Sequence, residues 1–264
     1  MWKEEFGKNP FRFSDEHSEK VHWDGMASQF RRWMDVDDYP AVLLQHIKLK
    51  KEWSVLDVGC GTGAVALQAA KRAARVTALD ISGEMLGILR QDAKKQGISN
   101  VTCMCRSWDD VVVGRDIKPH DVVIASRSVG RSDDLKGTLE KIDSAALKYV
   151  YLTVWGGGER GHAKGVRTAL GKPYRDVPDH MYVFNILHQM GIRPNVRQLE
   201  CHSRLIYVSL DDAVESSKRS LGPISGDEET VVRDYLNRTL LRLEDGTLEV
   251  PDNRPVWSLF WWKK

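Results

Sequence analysis

The chain has 264 residues, 39 Lys plus Arg against 37 Asp plus Glu, a formal net charge of +2 and a pI near 8.3. That balance argues against nucleic acid or anionic lipid as the main partner. With 42% hydrophobic and 29% charged residues the chain is neither disordered, collagen-like nor a coiled coil, and its length suits one elaborated domain or a domain with an appendage.

Residues 1–20 are polar and aromatic without a period and read as an arm. From Trp23 the apolar positions Trp23, Met26, Ala27, Phe30, Trp33 and Met34 recur at spacings of three and four, one stripe on a helix. A second helix is expected from an Asp38 N-cap through Val42, Leu43 and Ile47. Residues 1–50 are therefore expected to be a helical lid segment, followed by a main domain at 51–264. The acidic start, Met1 to Glu5, has no apolar core of a signal peptide, and no apolar run approaches about 18 residues. Cys60, Cys103, Cys105 and Cys201 fit no zinc spacing and read as reduced thiols, and the eight histidines show no metal spacing either. A cytoplasmic protein without a bound metal is expected.

An alternation of strand and helix signals follows. Ser54–Val58 is a short apolar strand, Ala64–Ala74 a helix, and Arg75–Asp80 a second strand. Ser82 caps a helix carrying Met85, Leu86 and Leu89, and Gly97 ends it. Asn100–Met104 and His120–Ala125 are further strands, and a helix over Leu135–Leu147 leads to a fifth, Tyr149–Val154. Gly156, Gly157, Gly158, Gly161 and Gly165 then mark a flexible connection. Asp179–Met190 reads as a helix, Asn195–Glu200 as a strand, Asp211–Leu243 as one or two helices, and Pro255–Trp262 as a last strand. The fold expected is α/β: a doubly wound, mostly parallel, Rossmann-like sheet of about seven strands, with a helical insertion at 211–245.

The chemistry concentrates at Asp57-Val58-Gly59-Cys60-Gly61-Thr62-Gly63. Glycines at a strand-to-helix turn let a ligand approach the backbone without meeting a Cβ, and the spacing fits the dinucleotide fingerprint as well. Asp57 separates the two possibilities. A carboxylate two residues before the first glycine opposes a pyrophosphate but favours an ammonium group. S-adenosylmethionine has an α-amino group, a ribose and no phosphate, which suits Asp57 at one end and Asp80, closing the second strand, at the other.

Val55–Gly63 and Ala78–Ser82 with Met85-Leu86 resemble the first and second motifs of the class I S-adenosylmethionine-dependent methyltransferases, closest to their small-molecule branch. The resemblance is specific from Trp53 to Val129. It implies that Gly59, Cys60, Gly61 and Gly63 line the methionine end, Asp57 serves the amino group, Asp80 takes the ribose hydroxyls and Ile81 meets the adenine. Ser107 stands where the family often has an acid for the adenine amino group, so Ser107 or Asp109 is expected there, with Trp108 beside the base. The loop after the fourth strand, Ala125–Arg131, is implied to face the methyl, with Ser126 on the cofactor side and Arg127 and Arg131 able to grip an anionic substrate. That loop lacks the Asn/Asp-Pro-Pro-aromatic run of enzymes that methylate base or glutamine amino groups.

Trp155 and the lid's Trp23 are candidates for the acceptor pocket. His162, His180 and Tyr182 are weak candidates for a base, which methyl transfer requires only when the nucleophile arrives protonated. The expected activity is transfer of a methyl group to an O, N or C nucleophile of a small molecule. An RNA or protein methyltransferase and a non-catalytic cofactor-binding subunit are the alternatives, with a nicotinamide-dependent oxidoreductase behind them.

Overall fold

A computed structural model describes residues 13–129, 132–156, 161–173, 180–222 and 224–264. The strands are β1 (Ser54–Val58), β2 (Arg75–Asp80), β3 (Val101–Cys105), β4 (His120–Ser126), β5 (Ala146–Trp155), β6 (Asn195–Glu200), β7 (Ile206–Tyr207), β8 (Leu241–Arg242), β9 (Leu248–Glu249) and β10 (Val256–Lys263). The helices are α1 (Glu16–Asp35), α2 (Tyr39–Leu44), α3 (Ala66–Ala70), α4 (Gly83–Lys95), α5 (Leu135–Ser144), α6 (Gly161–Ala169), α7 (His180–Gln189), α8 (Leu210–Leu221) and α9 (Gly226–Thr239).

Seven strands form one sheet in the order β3-β2-β1-β4-β5-β10-β6. The first five run parallel, and β10 lies antiparallel between β5 and β6. Strand order reverses between β1 and β4, which opens a crevice at their C-terminal ends where ligands of open α/β sheets bind. All five residues of β1 are buried, because helices cover both faces. Val55 packs with Leu43, Ala66 and Leu89 on one face, and Leu56 with Leu139, Val183 and Leu187 on the other.

Several elements depart from the sequence reading. Helix α1 begins at Glu16, inside the stretch read as an arm, where Asp15 and Ser18 cap each other's backbone reciprocally. Helix α6 occupies part of the segment read as a flexible connection. Helices α8 and α9 span residues 210–239, close to the insertion expected at 211–245, but the short strands β7, β9 and β8 around them form a second sheet. These elements and α6 share an apolar cluster that includes Val166, Tyr207, Val214, Val232, Leu236 and Leu248.

Candidate active site

The chain leaves β1 and turns under the end of β2, where the N–H groups of Gly59 and Cys60 both donate to the Leu79 carbonyl, at 2.8 and 3.0 Å. Gly61 has φ +54, in the left-handed region, and a Cβ there would stand 3.2 Å from Cε1 of Phe30. At Gly59 a Cβ would collide with Ser128 at 2.4 Å. The turn therefore requires glycine both for its backbone and for the side chains laid against it.

Two carboxylates flank the turn. Asp80, 8% exposed, accepts from Gly61 N–H at 2.7 Å on one oxygen and from Ser82 N–H at 2.9 Å on the other. Burial raises its pKa, while those N–H groups pull it down. Asp57 is 1% exposed, and neither of its oxygens has a hydrogen-bond partner among the described residues. Burial first, then the neighbouring charge of Asp80, push its pKa up to about 7; the Ala66 N–H opposes this, short of a formed hydrogen bond. A buried carboxylate in this condition is costly unless a cation or donor reaches it.

Helix α1 lies across the crevice. On one side its Asp24 accepts from Ser82 Oγ at 2.6 Å and Glu84 N–H at 3.3 Å, and Arg31 pairs with Asp92. On the other, Gln29 donates to Asp212 at 3.1 Å and Trp33 Nε1 to the Ile206 carbonyl at 3.1 Å. Trp23 packs in the seam with Met85 and edge-on to Phe30, so it belongs to the contact between α1 and α4 rather than to the far side of the crevice.

After β3, Ser107 Oγ accepts from Asp109 N–H at 3.3 Å, and Trp108 packs against the α5 side of the sheet with its Nε1 buried and unpartnered among the described residues. Ile81 is half-buried beside Cys105, whose Sγ donates to its carbonyl at 3.6 Å. After β4, Ser126 Oγ bonds the Tyr39 hydroxyl at 2.7 Å, and that hydroxyl also meets Thr153 Oγ1 at 2.5 Å. Arg127, expected to be able to grip an anionic substrate, pairs with Asp37 at 3.1 Å and lies over the Tyr39 ring. Arg131 lies outside the described residues, as do Gly157 and Gly158. Trp155 pairs with Trp257 in register across β5 and β10, and their rings meet edge-on at 5.5 Å.

His162 stands on α6 with its ring 6.3 Å from that of Tyr207, its Nε2 buried and without a partner among the described residues. Burial holds its pKa down at about 4. His180 and Tyr182 open α7, which packs through Val183 and Leu187 on the opposite sheet face from α2, α3 and α4. Sequence reading missed Asp24, Asp37 and Tyr39, whose partners at the site (Ser82 for Asp24, Arg127 and Ser203 for Asp37, Ser126 and Thr153 for Tyr39) are distant along the chain. Among the described residues no group of three or more His, Cys, Asp or Glu is placed to hold a metal, and no helix is long and apolar enough to cross a membrane.

A family model described as a methyltransferase domain matches residues 55–146. A Haemophilus influenzae protein described as uncharacterized is 33% identical over 227 residues, 85% of this chain and 81% of that one. The chain belongs to the class I S-adenosylmethionine-dependent methyltransferases. This methyltransferase is also 37% identical over 79 residues to a ubiquinone/menaquinone biosynthesis C-methyltransferase of Allorhizobium ampelinum, 28% of each chain. Its fold matches that of magnesium protoporphyrin IX methyltransferase from Synechocystis PCC 6803, solved with bound SAH, with a TM-score of 0.56. That likeness covers 71% of this chain and 94% of the other at 18% identity. The enzyme is thus a methyltransferase whose methyl donor is S-adenosylmethionine.

Proposed function

We propose that this methyltransferase methylates a small-molecule nucleophile, and that the crevice between the glycine turn and α1 holds its cofactor. The observation that carries the site is Asp57: two buried carboxylate oxygens without a partner among the described residues suit an α-ammonium group and oppose a pyrophosphate. S-adenosylmethionine supplies an electrophilic methyl group on a sulfonium. The backbone of Gly59–Gly63, with Cys60, would flank its methionine part, Asp80 would accept from the ribose hydroxyls, and Ile81, Ser107, Trp108 and Asp109 would surround the adenine. Ser126 would close the floor beneath the sulfonium.

Helix α1, within a lid segment at 1–50, keeps water from this crevice, and the main domain at 51–264 supplies the rest. The acceptor would enter beside Trp155 and the loop after β4. His162, neutral at physiological pH with an unengaged Nε2, is the preferred base if the acceptor arrives protonated. Two supports favour a small acceptor. Helix α1 bridges from α4 to the second-sheet region across the crevice, and the Allorhizobium relative is named for quinone biosynthesis. A reducing, cytoplasmic setting suits four cysteines that are all free thiols.

Incubation with methyl-labelled S-adenosylmethionine and fractionated cell extract tests the reading. Label is expected in the low-molecular-mass fraction. Label only in RNA or protein overturns the acceptor class, and cofactor binding without transfer to any fraction overturns catalysis.

A further inference from the structure

Lys141 stands on α5 and spends all of its donor capacity on one loop. Its Nζ donates to the carbonyls of Trp108 at 2.7 Å, Asp109 at 2.9 Å and Val111 at 3.1 Å, and lies 5.2 Å from the centre of the Trp108 ring. The loop folds as two successive turns, Asp110 N–H to Ser107 O at 3.3 Å and Val111 N–H to Trp108 O at 3.2 Å, so several carbonyls converge on a single point. An ammonium group neutralises that convergence with charge-assisted hydrogen bonds. The helix that carries it is firmly seated: Leu135, Leu139 and Ile142 are buried, and Trp262 Nε1 donates to Asp143 at 2.7 Å. The same loop lacks a carboxylate at Ser107, and it carries a buried indole N–H with no partner among the described residues. A purine offers ring nitrogens that accept such a donor, provided the loop holds its shape.

We propose that Lys141 is a positioning residue for the cofactor's adenine, acting through the 107–111 turn rather than by contact. The inference rests on the reading that this loop meets the adenine. Calorimetry with two ligands separates the two claims: S-adenosylhomocysteine, and S-ribosylhomocysteine, which has the same amino acid and sugar but no base. Lys141→Met keeps the alkyl stem and removes the three donors. It is expected to weaken S-adenosylhomocysteine about tenfold and leave S-ribosylhomocysteine unchanged. Lys141→Arg, which keeps donors within reach, is expected to recover most of the loss and serves as the test should the Met variant fold poorly. Equal loss for both ligands, or none for either, overturns the proposal. Trp108→Ala reports on the underlying reading. If it discriminates between the ligands and Lys141→Met does not, the loop reading stands and Lys141 has no such role. If neither discriminates, the loop does not hold the adenine and both ideas fall.

Discussion

The Arg127 guanidinium donates to Asp37 across 3.1 Å, with the two side chains only 17% and 2% exposed. Asp37 also accepts from Ser203 Oγ at 2.7 Å, so one ion pair joins the loop after β4, the link between α1 and α2, and the approach to β7. Arg127 is held at φ 59, a left-handed conformation that costs a non-glycine residue about 1–2 kcal/mol. Such strain persists only where surrounding contacts over-determine it.

Breaking this pair from one side leaves a buried charge alone. Arg127→Met is therefore expected to destabilise the protein by about 3–5 kcal/mol, and adding Asp37→Asn to recover much of that loss. Urea unfolding of the two single variants and the double variant measures the coupling. Strictly additive losses would show that the two residues do not act as a unit.

The ionisation of Asp57 predicts how binding follows pH. Its pKa is near 7 in the free protein, whereas a cofactor ammonium requires the carboxylate. Binding below pH 7 must first remove a proton, so affinity for S-adenosylhomocysteine is expected to be level above about pH 7 and to fall about tenfold per unit below it. Asp57→Asn should flatten that profile and lose roughly 10–150-fold in affinity at high pH, the equivalent of ~1.5–3 kcal/mol. Calorimetry across this range decides it; a level wild-type profile removes Asp57 from the ammonium site.

Gly61 ties the glycine turn to helix α1. In Gly61→Ala the φ of +54 is strained by about 1–2 kcal/mol, and the new methyl group presses on Phe30. Weaker cofactor binding and faster amide exchange across residues 16–35 are both expected. Adding Phe30→Ala should relieve the collision without relieving the backbone, so exchange stays fast while binding recovers only in part. Wild-type affinity in Gly61→Ala would mean that the turn does not carry the ligand.

The sheet was legible because a parallel strand buried on both faces is a short apolar run between turn residues, as Ser54–Val58 is. The glycine turn was equally plain, since its left-handed backbone demands glycine, and its two acids stand at the ends of β1 and β2, the strands on either side of it in the chain. The start of α1 was not, because its reciprocal cap is Asp15 with Ser18 rather than a Ser or Thr followed by Glu. Helix α6 hid behind its glycines: Gly165 lies under the Tyr235 hydroxyl, which stands 1.8 Å from where a Cβ would be, and no local pattern reports a neighbour seventy residues away. The strands β7, β8 and β9 have two residues each, too few to show a period. The ion pair of Arg127 was hidden for a similar reason, its partner Asp37 lying 90 positions earlier.

Asp57 and His162 should act on stability in opposite directions. Asp57 binds its proton more tightly when folded, up to about 7, so its contribution is largest in acid and is lost as pH rises from about 4 to 7. Folded His162 resists protonation down to about 4, so its contribution is complete above about 6.5 and is lost as pH falls toward 4. Each contribution amounts to about 3–4 kcal/mol over its window, so in the wild-type protein the two slopes largely offset. Single variants should separate them. Relative to wild type, the stability of Asp57→Asn is expected to climb with pH between about 4.5 and 7, and that of His162→Phe to decline over the same interval. Urea unfolding at several pH values reads both slopes, and comparison with wild type cancels every titration the proteins share. Parallel profiles for variant and wild type would show that the side chain removed titrates as it does in the unfolded chain, which neither buried, unpartnered group should do.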